Sequence, residues 1–206
     1  MPGTNEGLGD TLARGAPLAG TAGQMYVQRR GITMKVAEAA GVRYVDDFAG
    51  RPAVVIGLYD HNGMLASVHG RYLKVNRRQD KMFTIGPGGG TVNVLGGWQA
   101  DTLILVEGLF DALSLAVCGF ACVATIGRWV PWISNIAAGR TVWLAFDAGR
   151  SGEREVSRYA EQMRAANVRR ILPPGRSKDW NTALVKRGAK TVASWMVRCL
   201  GTIEDA

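Results

Sequence analysis

Residues 102–115, TLILVEGLFDALSL, change hydrophobic period half-way along. The first half is an unbroken apolar run, the pattern of a parallel strand covered on both faces. Glu107 and Gly108 close the run. From there Leu109, Ala112, Leu113, Ala116 and Val117 recur at helical spacing, and Gly119 stands where that helix would stop. A carboxylate is thereby delivered to the carboxyl end of a strand, beside a helix start. Open α/β sheets carry their sites at that place.

Forty residues on, residues 141–146 (TVWLAF) form a second buried-strand run that ends in Asp147. Gly149, Ser151 and Gly152 make the turn, with Ser151 placed to cap a helix running through Glu161 and Met163. If the two strands are neighbours, Glu107 and Asp147 face one crevice. Two carboxylates converging in an otherwise basic protein suit a hard cation such as Mg²⁺. The plainer reading, in which each carboxylate caps a helix or loop, stays open.

VEGLFDAL, then LAFDAGRSG, then PPGRSKDWNTAL resemble the Toprim domain of bacterial DNA primases and of phage and mobile-element primase-helicases. The resemblance implies an α/β fold, a Toprim-like parallel sheet flanked by helices. It also implies Mg²⁺ or Mn²⁺ collected by a glutamate and by the aspartate pair of a D-x-D motif. Glu107 matches the glutamate and Asp147 the first aspartate, so these two are the implied metal ligands. The second aspartate would fall at Gly149, and Glu153, one helical turn on, is a conceivable substitute. Asp111 and Asp179 match further acidic positions, and Asp179 joins Glu107 and Asp147 as an implied catalytic residue.

The chain has 206 residues, 47% of them hydrophobic, ample for a buried core. A net charge of +8 and a pI near 9.8 point to a polyanionic partner. Cys118, Cys122 and Cys199 are too few for a disulfide framework, and His61 and His69 complete no zinc spacing. Buried free thiols fit a reducing cytoplasm. No apolar run reaches membrane-spanning length and the start lacks a signal-peptide pattern.

Residues 1–23 read as a flexible leader, 24–100 as a small α+β subdomain bearing a hairpin, and 101–206 as the Toprim domain with C-terminal helices. Helical patterns fall between residues 24 and 41, with Thr33 as a candidate N-cap. Residues 53–60 and 64–73 read as strands joined at His61-Asn62-Gly63. Arg71, Lys74, Arg77, Arg78 and Lys81 then fall within eleven positions, dense enough to line a phosphate track, with Tyr72 or Phe83 for base stacking. A solvated hairpin face is the alternative. GRYL and KMFTIGP are similar to the template-holding segments of the primase core, which carries Arg71 and Lys81 over as template contacts. The glycine run at residues 86–90 lacks the ending of a Walker loop and reads as a hairpin connection. Trp98, Trp129, Trp132 and Trp180 lie near the expected site, with core packing the commoner role and base stacking the other.

The resemblance implies a primase-like nucleotidyltransferase that makes primers on single-stranded DNA from nucleoside triphosphates, beside a helicase or a separate zinc-module protein. Two alternatives remain. One is a nucleic-acid-binding Toprim protein of a mobile element with weakened catalysis. The other is nuclease-type phosphodiester chemistry at the same metal site.

Overall fold

The structure is a computed structural model that describes residues 5–75 and 81–201. The chain divides into two compact units, Met1–Val92 and Asn93–Ala206. The first unit is built on a four-stranded antiparallel sheet of order β1-β2-β3-β4. Its strands are β1 (Arg43–Phe48), β2 (Arg51–Tyr59), β3 (Leu65–Tyr72) and β4 (Met82–Ile85). The β2–β3 hairpin turns where the Asn-Gly signal placed it, and Asp60 Oδ1 accepts from the amides of Asn62 and Met64. Helices α2 (Ala22–Arg29) and α3 (Met34–Ala39) follow the expected patterns, and the Thr33 hydroxyl caps α3 by accepting from the Val36 amide.

The leader expectation differs from what is found. Asn5–Ala13 form α1, Leu8 is buried with Phe48, Val55 and Val68, and Leu18 is fully buried. The Gly/Ala composition hid two anchoring leucines, of which Leu8 packs on this sheet. The units also part at residue 92 rather than 100, because residues 92–94 form β5 (Val92–Val94) of the second sheet.

The second unit carries a five-stranded sheet of order β5-β7-β6-β8-β9. Its later strands are β6 (Leu103–Val106), β7 (Cys122–Ala124), β8 (Thr141–Leu144) and β9 (Asn167–Arg170). β6 pairs in parallel with both β7 and β8, and β8 in parallel with β9. The chain moves from β6 to β7 on one side and returns to β8 on the other. β6 and β8 therefore flank a topological switch point. Alternate β6 residues serve opposite faces. Leu103 and Leu105 pack with Val142, Leu144, Ile133 and Tyr159, while Ile104 and Val106 are equally buried. Double coverage is why the run is continuously apolar.

Helix α4 (Leu109–Val117) follows β6 and packs against α7 (Trp180–Arg187) and α8 (Ala189–Gly201). α5 (Trp132–Ala137) and α6 (Arg150–Gln162) complete the unit, with Pro131 at the start of α5. The cap of α6 is Gly149 rather than the expected Ser151. Gly188, at φ +78°, ends α7. Cys118, Cys122 and Cys199 form no disulfide, and burial pushes the thiol of Cys118 up to about 11. Among the described residues no helix is long and apolar enough to cross a membrane.

Candidate functional site

The strand ends bring Glu107 and Asp147 together. Glu107 follows β6 directly and Asp147 lies just past β8, its neighbour. The Asp147 amide donates to Glu107 Oε1 at 3.2 Å. Burial, and next the charge of Asp147, raise the carboxyl of Glu107 above the usual range. The α6 residue Glu155 adds to the same negative field and pairs, among the described residues, with Arg158 at 3.4 Å. Sequence patterning missed Glu155, whose side chain turns inward one helical turn before the buried Tyr159.

Asp111 lies in the first turn of α4, and its carboxyl group is spent on structure. Its Oδ1 accepts from the backbone amides of Trp180 and Asn181 at 2.9 and 3.1 Å. Burial, reinforced by Asp147 and Asp179, pushes its carboxyl up to about 7. Asp179 Oδ1 caps α7 by accepting from the Thr182 amide at 2.6 Å. Asp179 thus caps α7, and the bond from the Asp147 amide to Glu107 Oε1 is the loop-capping contact of the plainer reading, which stays open beside the metal-ligand one. Trp180 is fully buried and donates from Nε1 to the Ala145 carbonyl at 2.7 Å. The core role, not base stacking, holds for this tryptophan. Trp98 meets Trp132 edge-on, and Trp129 meets Tyr159 the same way, each packed against the core.

Two basic residues outside the expected set shape the crevice. Arg170, at the end of β9, donates to the carbonyls of Leu144, Phe146, Ile171 and Asp147, and clamps Glu153 Oε1 at 2.9 Å. Glu153, the substitute ligand suggested for Gly149, is thereby held by Arg170 through Oε1. Lys178 stands with Nζ 3.9 Å from Asp147 Oδ2. Neither residue was legible, because no local pattern says which arginine meets a strand end across the sheet.

Gly149 has φ +102° and ψ 178°, a backbone region that is essentially glycine-only. A side chain there would meet open space, yet a restored aspartate would carry roughly 1–3 kcal/mol of backbone strain. Among the described residues no group of three or more His, Cys, Asp or Glu side chains is disposed to hold a metal ion. Two converging carboxylates fit one Mg²⁺ or Mn²⁺ whose remaining ligands are water and substrate phosphate. They do not fit a pair of cations.

In the first unit Arg71 lies on β3 and its Nε donates to the Tyr26 hydroxyl at 3.3 Å. Lys74 is exposed and Lys81 half-buried. Arg77 and Arg78 lie outside the described residues. Arg71 pairs with Met82 and Gly70 with Phe83, so Arg71 and Phe83 occupy opposite faces of the sheet. Tyr72 is buried under the Arg51 guanidinium, 3.6 Å from its ring centre. Tyr72 is therefore taken up in the core, whereas Phe83 is exposed on the face opposite Arg71. His69 is a buried strand residue whose Nδ1 lies 2.9 Å from Thr84 Oγ1.

With this geometry in place, residues 104–184 match a family model described as Toprim-like. That stretch is Toprim-like. No curated protein matches the sequence. Solved structures similar to it include the DnaG primase catalytic domain bound to single-stranded DNA, at 17% identity and TM-score 0.72. That match covers 94% of this chain and 78% of the other. The zinc-binding and RNA polymerase domains of Aquifex aeolicus primase match at 17% identity and TM-score 0.69, over 95% and 62% of the two chains. The primase fragment of the bacteriophage T7 primase-helicase matches at 18% and 0.60, over 82% and 72%. At these identities the likeness concerns the fold, which is the α/β fold that the Toprim resemblance implied.

Proposed function

We propose that the chain is a primase-like Toprim protein that acts on single-stranded DNA and joins nucleoside triphosphates into primers. The observation that carries this reading is the contact between Glu107 and the Asp147 turn at adjacent strand ends of a Toprim-like domain. A divalent cation, when bound, supplies positive charge to the triphosphate during in-line displacement. Glu107 and Asp147 would hold it. Asp179 assists by fixing the start of α7, and so the loop that ends at Lys178. Arg71, Lys74 and Lys81, with Arg77 and Arg78, would hold the template through its phosphates. The similar structures include a primase bound to single-stranded DNA and a primase-helicase fragment, which supports single-stranded DNA and a helicase as partners. A zinc-module protein acting in trans and a cytoplasmic setting belong to the same reading.

Gly149 favours a second reading, a nucleic-acid-binding Toprim protein of a mobile element with weakened catalysis, since one ligand side chain is missing there. Primer synthesis on a single-stranded template separates the two. With Mn²⁺ the parent chain is expected to make short labelled products, and Asp147→Asn to make on the order of a hundredfold fewer. Equal synthesis by parent and variant would remove Asp147 from the reaction. No synthesis by the parent at any Mg²⁺ or Mn²⁺ concentration would leave the binding-only reading standing.

A further inference from the structure

Two of the cationic side chains around the strand ends stand in different conditions. Arg170 is committed to main-chain carbonyls and to Glu153, and only 19% of its side chain is exposed. Lys178 is 60% exposed, and among the described residues its ion pair is with Asp147 Oδ2 at 3.9 Å.

The position of Lys178 is nevertheless built. Its carbonyl accepts from the Ala148 amide at 2.7 Å, which ties its backbone to the residue after Asp147. The next residue, Asp179, caps α7, and Trp180 beyond it is fully buried. Asp111 holds the Trp180 and Asn181 amides from below. A fixed backbone therefore carries a flexible, solvent-facing ammonium to the edge of the crevice.

The charge balance of the crevice gives this ammonium a task. Nucleotidyl transfer places a triphosphate against Glu107 and Asp147, and in a two-cation arrangement several carboxylates hold the cations that offset that charge. Here Gly149 offers no side chain, and among the described residues no three-acid cluster exists. A lysine ammonium is a compact point charge suited to phosphate oxygens.

We propose that Lys178 supplies the second positive charge of this crevice, contacting the phosphates of a nucleoside triphosphate while Glu107 and Asp147 hold a single divalent cation. The proposal rests on the primase-like reading. Until nucleotide arrives, the ammonium neutralises Asp147 and competes with the cation for it. Once nucleotide is bound, it turns from the carboxylate to phosphate.

The two halves predict opposite signs for one substitution. Lys178→Met keeps the stem and removes the charge. Calorimetry of Mn²⁺ alone should then show about threefold to tenfold tighter binding, as expected for losing a partly exposed competing charge near the ligand. ATP binding in the presence of saturating Mn²⁺ should weaken by a similar factor. Lys178→Arg, which keeps the charge, should stay within about twofold of the parent in both. Unchanged Mn²⁺ and ATP affinities in Lys178→Met would overturn the proposal, as would a loss of both together. Glu107→Gln separates this failure from that of the underlying reading. Mn²⁺ binding lost in Glu107→Gln but unchanged in Lys178→Met overturns the ammonium alone. Mn²⁺ binding unchanged in both variants overturns the cation site and the proposal with it.

Discussion

Gly152→Ala is expected to lower the melting temperature by about 5–10 °C, although alanine is the better helix former. Gly152 sits in the first turn of α6, and a methyl group there would collide with the carbonyl oxygen and carbonyl carbon of Asp147. These are backbone atoms, so no rotamer change relieves the overlap. The turn carrying Asp147 and the start of α6 must separate, at about 2–3 kcal/mol for overpacking of this kind. Arg170 resists the separation, because it bonds the Asp147 carbonyl and the α6 residue Glu153 with one guanidinium. Thermal unfolding followed by circular dichroism checks this. A variant melting within about 1 °C of the parent would mean that the close approach of α6 to Asp147 is wrong.

The second large effect concerns pH. The carboxyl of Asp111 lies near 7 in the folded chain, against an ordinary value of 3.8. Between these values the folded state holds a proton that the unfolded chain has released. The resulting stability is fully present below about pH 4 and is lost as pH rises through about 7. Asn at this position keeps an oxygen for the Trp180 and Asn181 amides and cannot ionise. The stability of Asp111→Asn relative to the parent should therefore climb by roughly 2–4 kcal/mol from pH 4 to pH 7.5, measured by urea unfolding without divalent cation. Parallel pH curves for the two proteins would show that Asp111 does not titrate in this range.

The two strand-to-helix units were legible because a doubly covered strand has no polar residue until its end. Glu107 and Asp147 stand out as the first carboxylates after TLILV and TVWLAF. Their proximity followed from one assumption, that the strands are neighbours, and the parallel β6–β8 register meets it. The glycine at 149 was visible as a missing ligand, but its backbone was not. Only the φ of +102° shows that an aspartate could not simply be put back there. Local patterning assigned the α6 cap to Ser151, the usual cap residue, whereas the turn uses Gly149 two positions earlier. Arg170, Lys178 and the inward-turned Glu155 take their roles from contacts across the sheet and between loops. Period and composition carry no record of such contacts. The leucines that anchor residues 5–18 were hidden for a related reason, since two apolar residues make no periodic pattern.

The central claim is that Glu107 and Asp147 hold one divalent cation at the ends of β6 and β8. Counting bound Mn²⁺ by the loss of the free-ion electron paramagnetic resonance signal tests it without reference to any activity. The account predicts about one Mn²⁺ per chain in the parent and none at the same concentrations in Glu107→Gln, with both proteins folded. Two tightly held ions in the parent, or the same single ion in Glu107→Gln, would contradict it.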